Sequence, residues 1–339
     1  MTTRQSVSRE CIFLLGAGAS VDAGMPMVKP LTEQLKHRLA NIPDVHGNLR
    51  PEFRQIFDLI EAHDPSVAGN YERWFEWIRL LLEVQREPFR RIVEIRLDRP
   101  LREAMAHLPL VVGGELARVL GSCQSDPGYL ARLVDFIPDQ GRLKVFSLNY
   151  DCCLEEACQS AGIGLTTGFD PMTKRWNPSL FRTEGHGINL YKLHGSLRWH
   201  GMRDESLPDE QFQPRLELME LHPEQRLPPH FEMRQEPELV LGPGNKLQAD
   251  DPFLTLFYEF HHSIRHAHVC VIIGYSYADS HINAVLDDAL DAGVSLLDVN
   301  PGSPSGRYLS ERRYHHLRLR TKDALAEGHI QSELKRLRL

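Results

Sequence analysis

The stretch Cys11-Ile-Phe-Leu-Leu15-Gly16-Ala17-Gly18-Ala19-Ser20 decides the fold class. Five apolar residues in a row, with no polar alternation, suit a strand buried on both faces. The glycines after it allow a tight turn into a helical stretch, where amide groups attract anions. Further apolar runs occur at Leu143–Leu148, Leu190–Leu193, Glu238–Leu241, His268–Ile273 and Val294–Val299. Four of the runs lead into polar loops reading GAGAS, NYD, HGS and GYS. The pattern predicts an α/β fold: a Rossmann-like parallel sheet flanked by helices, with ligand chemistry at the carboxyl ends of the strands.

The 339 residues are 42% hydrophobic and 25% charged, enough apolar mass for a large core. A net charge of -7 argues against a chain that binds nucleic acid as a whole. No apolar run approaches the ~20 residues of a membrane span. Cys11–Leu15 is too short, and too soon broken by glycine, for a signal peptide. A cytoplasmic protein is expected, and six scattered cysteines without disulfide-scaffold density agree.

Between the first two strands the periodicity is helical, at Thr32–Ala40, Arg54–Ala62 and Tyr71–Gln85. In the last, Trp74, Phe75, Ile78, Leu81 and Leu82 recur at three- and four-residue steps. Such a stripe packs into a core more often than it lines a pocket. Pro88, Pro100, Pro109 and Gly113–Gly114 punctuate the chain beyond it. The expected organisation is a catalytic domain at 1–29 and 139–306, with a helical insert at 30–138. Residues 201–236, polar and proline-rich, read as a loop excursion, and 307–339 as a basic C-terminal helix or tail.

Polar motifs stand at the expected strand ends. The first is Gly16, Ala17, Gly18, Ala19 and Ser20, followed by Gly24 and Pro26. A dinucleotide-binding dehydrogenase would place a third glycine where this chain has Val21, so the turn reads as a different phosphate loop. In Ser147-Leu-Asn149-Tyr-Asp151, Asn149 offers a donor and an acceptor and Asp151 a fixed acceptor. Such a pair suits a ribose, a carboxamide or a water; equally, Asp151 suits the cap of the next helix. Lys192-Leu-His194-Gly195-Ser196 places a histidine, the usual general base near neutral pH, at a strand end. Gly274-Tyr-Ser276 continues into Asp279, His281 and Asn283, and Asn300 follows the last strand.

In this order, GAGAS…AGMP, SLNYD, LHGS, GYSYADSHIN and DVNP resemble the sirtuin-like domains of bacterial antiphage-defence NADases, over about residues 11–28 and 140–301. The resemblance implies NAD+ as substrate, cleaved to nicotinamide and ADP-ribose. It implies His194 and Asn149 as the catalytic pair, with Asp151 near the nicotinamide. GAGAS, with Gly24, would lie at the pyrophosphate, and Gly274, Ser276 and Asn300 at the ADP-ribose. It further implies an effector of abortive antiviral defence that acts as a homo-oligomer, in some systems with a separately encoded HerA-type ATPase.

Protein-deacylating sirtuins carry two CxxC pairs holding zinc after the His-Gly motif. This chain has no cysteine between Cys158 and Cys270. Cys152, Cys153 and Cys158 lie too close together to replace them, and His200, His222 and His230 show no ligand spacing. No zinc is expected, which favours a hydrolase over a deacylase. A regulatory module that binds NAD+ or ADP-ribose without turnover is one alternative, and the disfavoured NAD-dependent deacylase the other. The tail holds nine Lys/Arg against four Asp/Glu, and reads as either a solvated helix or a docking surface. The Trp74/Trp77 face of the insert is a second candidate for assembly.

Overall fold

The computed structural model describes residues 10–42, 51–86, 97–121, 123–204, 217–222, 231–240 and 250–337. Pro88, Leu241 and the excursion's residues 205–216 and 223–230, His230 among them, lie outside these. The strands are β1 (Cys11–Leu15), β2 (Arg142–Ser147), β3 (Leu165–Thr166), β4 (Gly187–Lys192), β5 (Gly195–Asp204), β6 (Glu217–Glu220), β7 (Phe231–Leu239), β8 (Val269–Ile273), β9 (Ser295–Val299) and β10 (Tyr314–Leu317). Seven of them form one sheet in the order β10-β9-β8-β1-β2-β4-β3. Every pairing in it is parallel, giving the Rossmann-like arrangement.

Alternation along the central strands divides the core in two. Phe13, Leu15, Val145, Leu190, Val271 and Ile273 face one cluster; Ile12, Leu14, Phe146, Tyr191, Cys270 and Ile272 face the other. The first cluster packs helices α1 (Val28–Leu39), α2 (Pro51–His63), α3 (Tyr71–Val84), α4 (Arg99–Leu120) and α5 (Cys153–Ala161). The second packs α6 (Phe253–His266) and α7 (Ser280–Asp291). Both faces are covered, which is why the strands read as continuous apolar runs.

In α3 the aromatic stripe is core: Trp74 is 1% exposed and its ring lies 4.4 Å from Phe57. Trp74 is therefore not available as a docking face. Asn70 starts α3 by accepting the Glu72 amide at 3.1 Å, and Asp98 starts α4 by accepting the Leu101 amide at 2.9 Å. Pro109 does not end a helix as its type suggests, for α4 runs through it. An internal proline costs about 3 kcal/mol. Buried Met105, Leu108, Val112 and Leu116 at helical spacing return roughly 1.5–3 kcal/mol each, which outweighs it.

Two stretches differ from their sequence reading. Most of the described part of 201–236 is strand rather than loop: β6, β5 and β7 form a separate antiparallel sheet in that order. The basic tail is not a lone helix. Its β10 extends the main sheet beside β9, and α8 (Thr321–Ala326) and α9 (His329–Leu337) bury Ala324, Leu325 and Ile330 in the first core cluster. Among the described residues, no helix is long and apolar enough to cross a membrane.

Candidate active site

From β1 the chain proceeds to β2 on one side of the sheet; β8, on β1's other side, leads on to β9 and β10. The loops after β1 and β8 therefore diverge, opening a crevice at the carboxyl ends of the strands. The two loops first touch along their backbones. Gly16 donates its amide to Ile273 O and Gly18 donates to Gly274 O, both at 2.9 Å. A Cβ on Gly16 would stand 2.6 Å from Tyr275 Cα, and one on Gly18 2.7 Å from Gly274 Cα. Gly274, at φ 64°, would place a Cβ 2.4 Å from the Ala19 nitrogen. These glycines are required by the loop crossing, before any ligand is considered.

After Gly16 the chain enters a 3-10 helix over Ala17–Ala23. Two of its first three amides are already occupied, Gly18 by Gly274 O and Ala19 by Gly16 O. An anion thus meets fewer donors here than a helix start suggests. The C-terminal segment holds this turn from outside. Thr321 Oγ1 donates to Gly18 O at 3.1 Å, the Lys322 amide to Asp22 at 3.0 Å, and Arg320 pairs with Asp22 at 2.6 Å.

Beside the crossing lies a cavity of about 360 Å³. Gly16, Ala17, Gly18, Asn149, Asp151, His194, Gly274 and Ser276, all singled out by sequence, line it together. Ala19, Ser20, Gly24 and Asn300 do not. Ser20 stands behind the wall and accepts a hydrogen bond from Asn149 Nδ2 at 3.2 Å. Gly24 closes the 3-10 helix at φ 86°, where a Cβ would lie 2.7 Å from Gln124 Cβ. Asn300 donates to Tyr275 O at 3.3 Å and accepts the Gly302 amide, holding the loop after β8.

The opposite wall is built by side chains. Asp151 lines the cavity and also accepts the Cys153 amide at 3.1 Å in an Asx turn; it is not the cap of α5, a position that Cys152 holds. Lys192, 1% exposed, donates to Tyr150 O at 3.3 Å, to Asp151 O, and to Glu155 Oε1 at 2.9 Å. Burial opposes its charge most strongly, but Glu155, by charge and hydrogen bond, acts together with Cys152 and Asp151 to raise its pKa above the ordinary lysine value. The ammonium thereby fixes the two carbonyls that shape the NYD turn. The motif pattern gives Lys192 no such role; its signal is a lysine inside a buried strand. His194, 2% exposed, lies two residues further along, and its Nε2 stands 3.5 Å from His281 Nε2.

Pro26 of the AGMP motif lines the cavity too. Lining that the motifs did not indicate comes from Met27 and Lys29, just before residue 30, and from Tyr71 and Glu72 in the first turn of α3. Tyr150 Oη donates to Val240 O at 2.9 Å and meets Glu72 at 3.4 Å. Burial, then the Glu72 carboxylate, holds the Tyr71 and Tyr150 phenols well above the usual tyrosine range, so both stay protonated donors. Glu72, Asp151 and Asp279 line the cavity against Lys29, a predominance of negative charge.

No curated protein matches the chain in sequence. Solved structures similar to it include a Sir2 homologue in complex with NAD, at 14% identity and TM-score 0.43, covering 96% of this chain and 90% of that one. A mutant Sir2 homologue with ADP-ribose aligns at 14% identity and TM-score 0.45, covering 96% and 93%. A Sir2 protein bound to a propionylated peptide aligns at 12% identity and TM-score 0.41, covering 96% and 94%. The span from β2 to the second residue of β9, residues 143–296, matches the family model described as a SIR2-like domain.

Proposed function

We propose that the chain is an NAD+ glycohydrolase, cleaving the nicotinamide–ribose bond with water to give nicotinamide and ADP-ribose. The observation that carries this is the convergence of Asn149, Asp151 and His194 on the cavity that the glycine loops border. The SIR2-like match over residues 143–296 supports it. So does the cavity's volume, within the range of small-molecule sites. In this reading the loops after β1 and β8 take the pyrophosphate and ADP-ribose. His194 is the general base toward a ribose hydroxyl or water, and Asn149 positions ribose and water. Asp151 holds the carboxamide end. As the bond breaks the ribose gains positive charge, which the carboxylates of Glu72, Asp151 and Asp279 stabilise electrostatically.

The test is release of nicotinamide from NAD+ by the purified protein, with and without an acylated peptide. Peptide-independent release supports hydrolysis; release only with peptide indicates a deacylase; binding without release indicates a regulatory module. His194→Ala and Asn149→Ala are each expected to lower the rate by roughly 10²–10⁴-fold with the fold intact. No zinc is part of this reading, and elemental analysis finding about one zinc per chain after dialysis would count against it.

The wider role proposed is depletion of NAD+ in the cytoplasm during antiphage defence. Since unrestrained hydrolysis kills its own cell, activity depends here on a homo-oligomer or an activating partner such as a HerA-type ATPase. Mass photometry finding only monomer, with full activity of that monomer, would refute this dependence.

A further inference from the structure

The motif after β8 contains His281, for which the proposed reaction has no use. It is the second residue of α7, and its ring stands beside that of His194, centroids 5.6 Å apart and Nε2 to Nε2 3.5 Å. Phe257 of α6 packs near the same ring, 6.0 Å between centroids. Two facing Nε2 atoms make a hydrogen bond only if one carries the proton and the other a lone pair. A neutral imidazole has a single ring lone pair. If His281 donated, the lone pair of His194 would be taken and no basic nitrogen would remain on it. For His194 to accept a proton it must instead donate from Nε2.

We propose that His281 is a positioning residue for His194: its Nε2 accepts the His194 Nε2–H, which leaves the lone pair of His194 on Nδ1 as the base. This rests on the hydrolase reading for its role, though not for its geometry. When His194 takes a proton at Nδ1 it becomes an imidazolium, and the Nε2–H···Nε2 bond becomes charge-assisted, about twice as strong as a neutral one. His281 therefore acts late, as charge develops, rather than in binding substrate. It fixes the tautomer and orientation of a base in the way an outer hydrogen-bond partner fixes a metal-bound histidine, where loss typically costs 10–100-fold.

The test combines kinetics with nitrogen-15 NMR of labelled histidines in the full chain. His281→Phe keeps a ring but no acceptor, and is expected to lower kcat by roughly 10–100-fold with KM within about twofold. His281→Gln, whose amide oxygen accepts, restores at least part of the loss. In the wild type, His194 is expected protonated at Nε2 and His281 at Nδ1. Unchanged kcat in His281→Phe, equal losses in the Phe and Gln variants, or His194 protonated at Nδ1 would each overturn the proposal. A wild type that releases no nicotinamide rejects the hydrolase reading instead. The tautomer assignment then still decides whether the pair is ordered as proposed.

Discussion

The two sides of the crevice are made differently. On the β1/β8 side the chemistry is backbone: three glycines let two loops cross, and the side chain of Thr321 reaches in from the C-terminal segment to Gly18 O. On the β2/β4 side it is side chains, Asn149, Asp151 and His194, with the buried Lys192–Glu155 pair holding the Tyr150 and Asp151 carbonyls between them. A backbone wall tolerates no added atom, whereas a side-chain wall tolerates no lost charge. Substitutions of opposite kinds should therefore damage each.

Truncation after Gly306 should have the largest effect, and on the backbone side. It removes β10 and the contacts to Asp22 and Gly18. It also exposes the core around Leu325 and Ile330, both fully buried. Those two side chains alone represent roughly 3–6 kcal/mol at the usual value per buried residue. Denaturant unfolding should show a protein destabilised throughout; a folded, NAD+-binding fragment would mean that the glycine loops hold themselves.

Lys192→Met tests the other side. Leaving Glu155 buried without its partner should cost about 3–5 kcal/mol, and any nicotinamide release should fall with it. The double change Lys192→Met with Glu155→Leu removes both charges and should recover much of the stability but not the activity, because the Tyr150 and Asp151 carbonyls remain unheld. Recovery of both would show that the pair does not shape the NYD turn.

Gly274→Ala should cost about 1–3 kcal/mol from backbone strain at a positive φ, and weaken ligand binding by displacing the first loop. An alanine that leaves the melting temperature and NAD+ affinity unchanged would separate the glycines from the crossing. The smallest change expected is Ser20→Ala, which joins the two sides. Losing the acceptor for Asn149 Nδ2 should cost about 0.5–1.5 kcal/mol, read as reduced turnover with little change in fold. A loss as large as that of Asn149→Ala would place Ser20 at the ligand itself.

Much of this site is legible in the sequence. Strands buried on both faces announce themselves as unbroken apolar runs, and polar motifs at their ends converge because parallel strands deliver them to one edge of the sheet. Strand β10, Tyr314-His-His-Leu317, is not legible. It is a half-buried edge strand whose stability comes from β9 and from the Tyr314 hydroxyl donated to Asp298 at 2.5 Å. Nor is the part of the wall made by Tyr71 and Glu72. Local pattern places them on a helix correctly, but which cavity a helix end borders depends on packing over long sequence distance.

The sequence by itself determined the parallel α/β sheet, the helices between its first two strands and the polar residues at the strand ends, since each follows from local spacing and burial. Only the tertiary structure decided that the glycines serve a loop crossing, that Lys192 holds the NYD turn, that the tail belongs to the sheet, and that His281 faces His194. These are contacts between residues far apart in the chain. Their energies depend on distances of a few ångströms that no local pattern encodes.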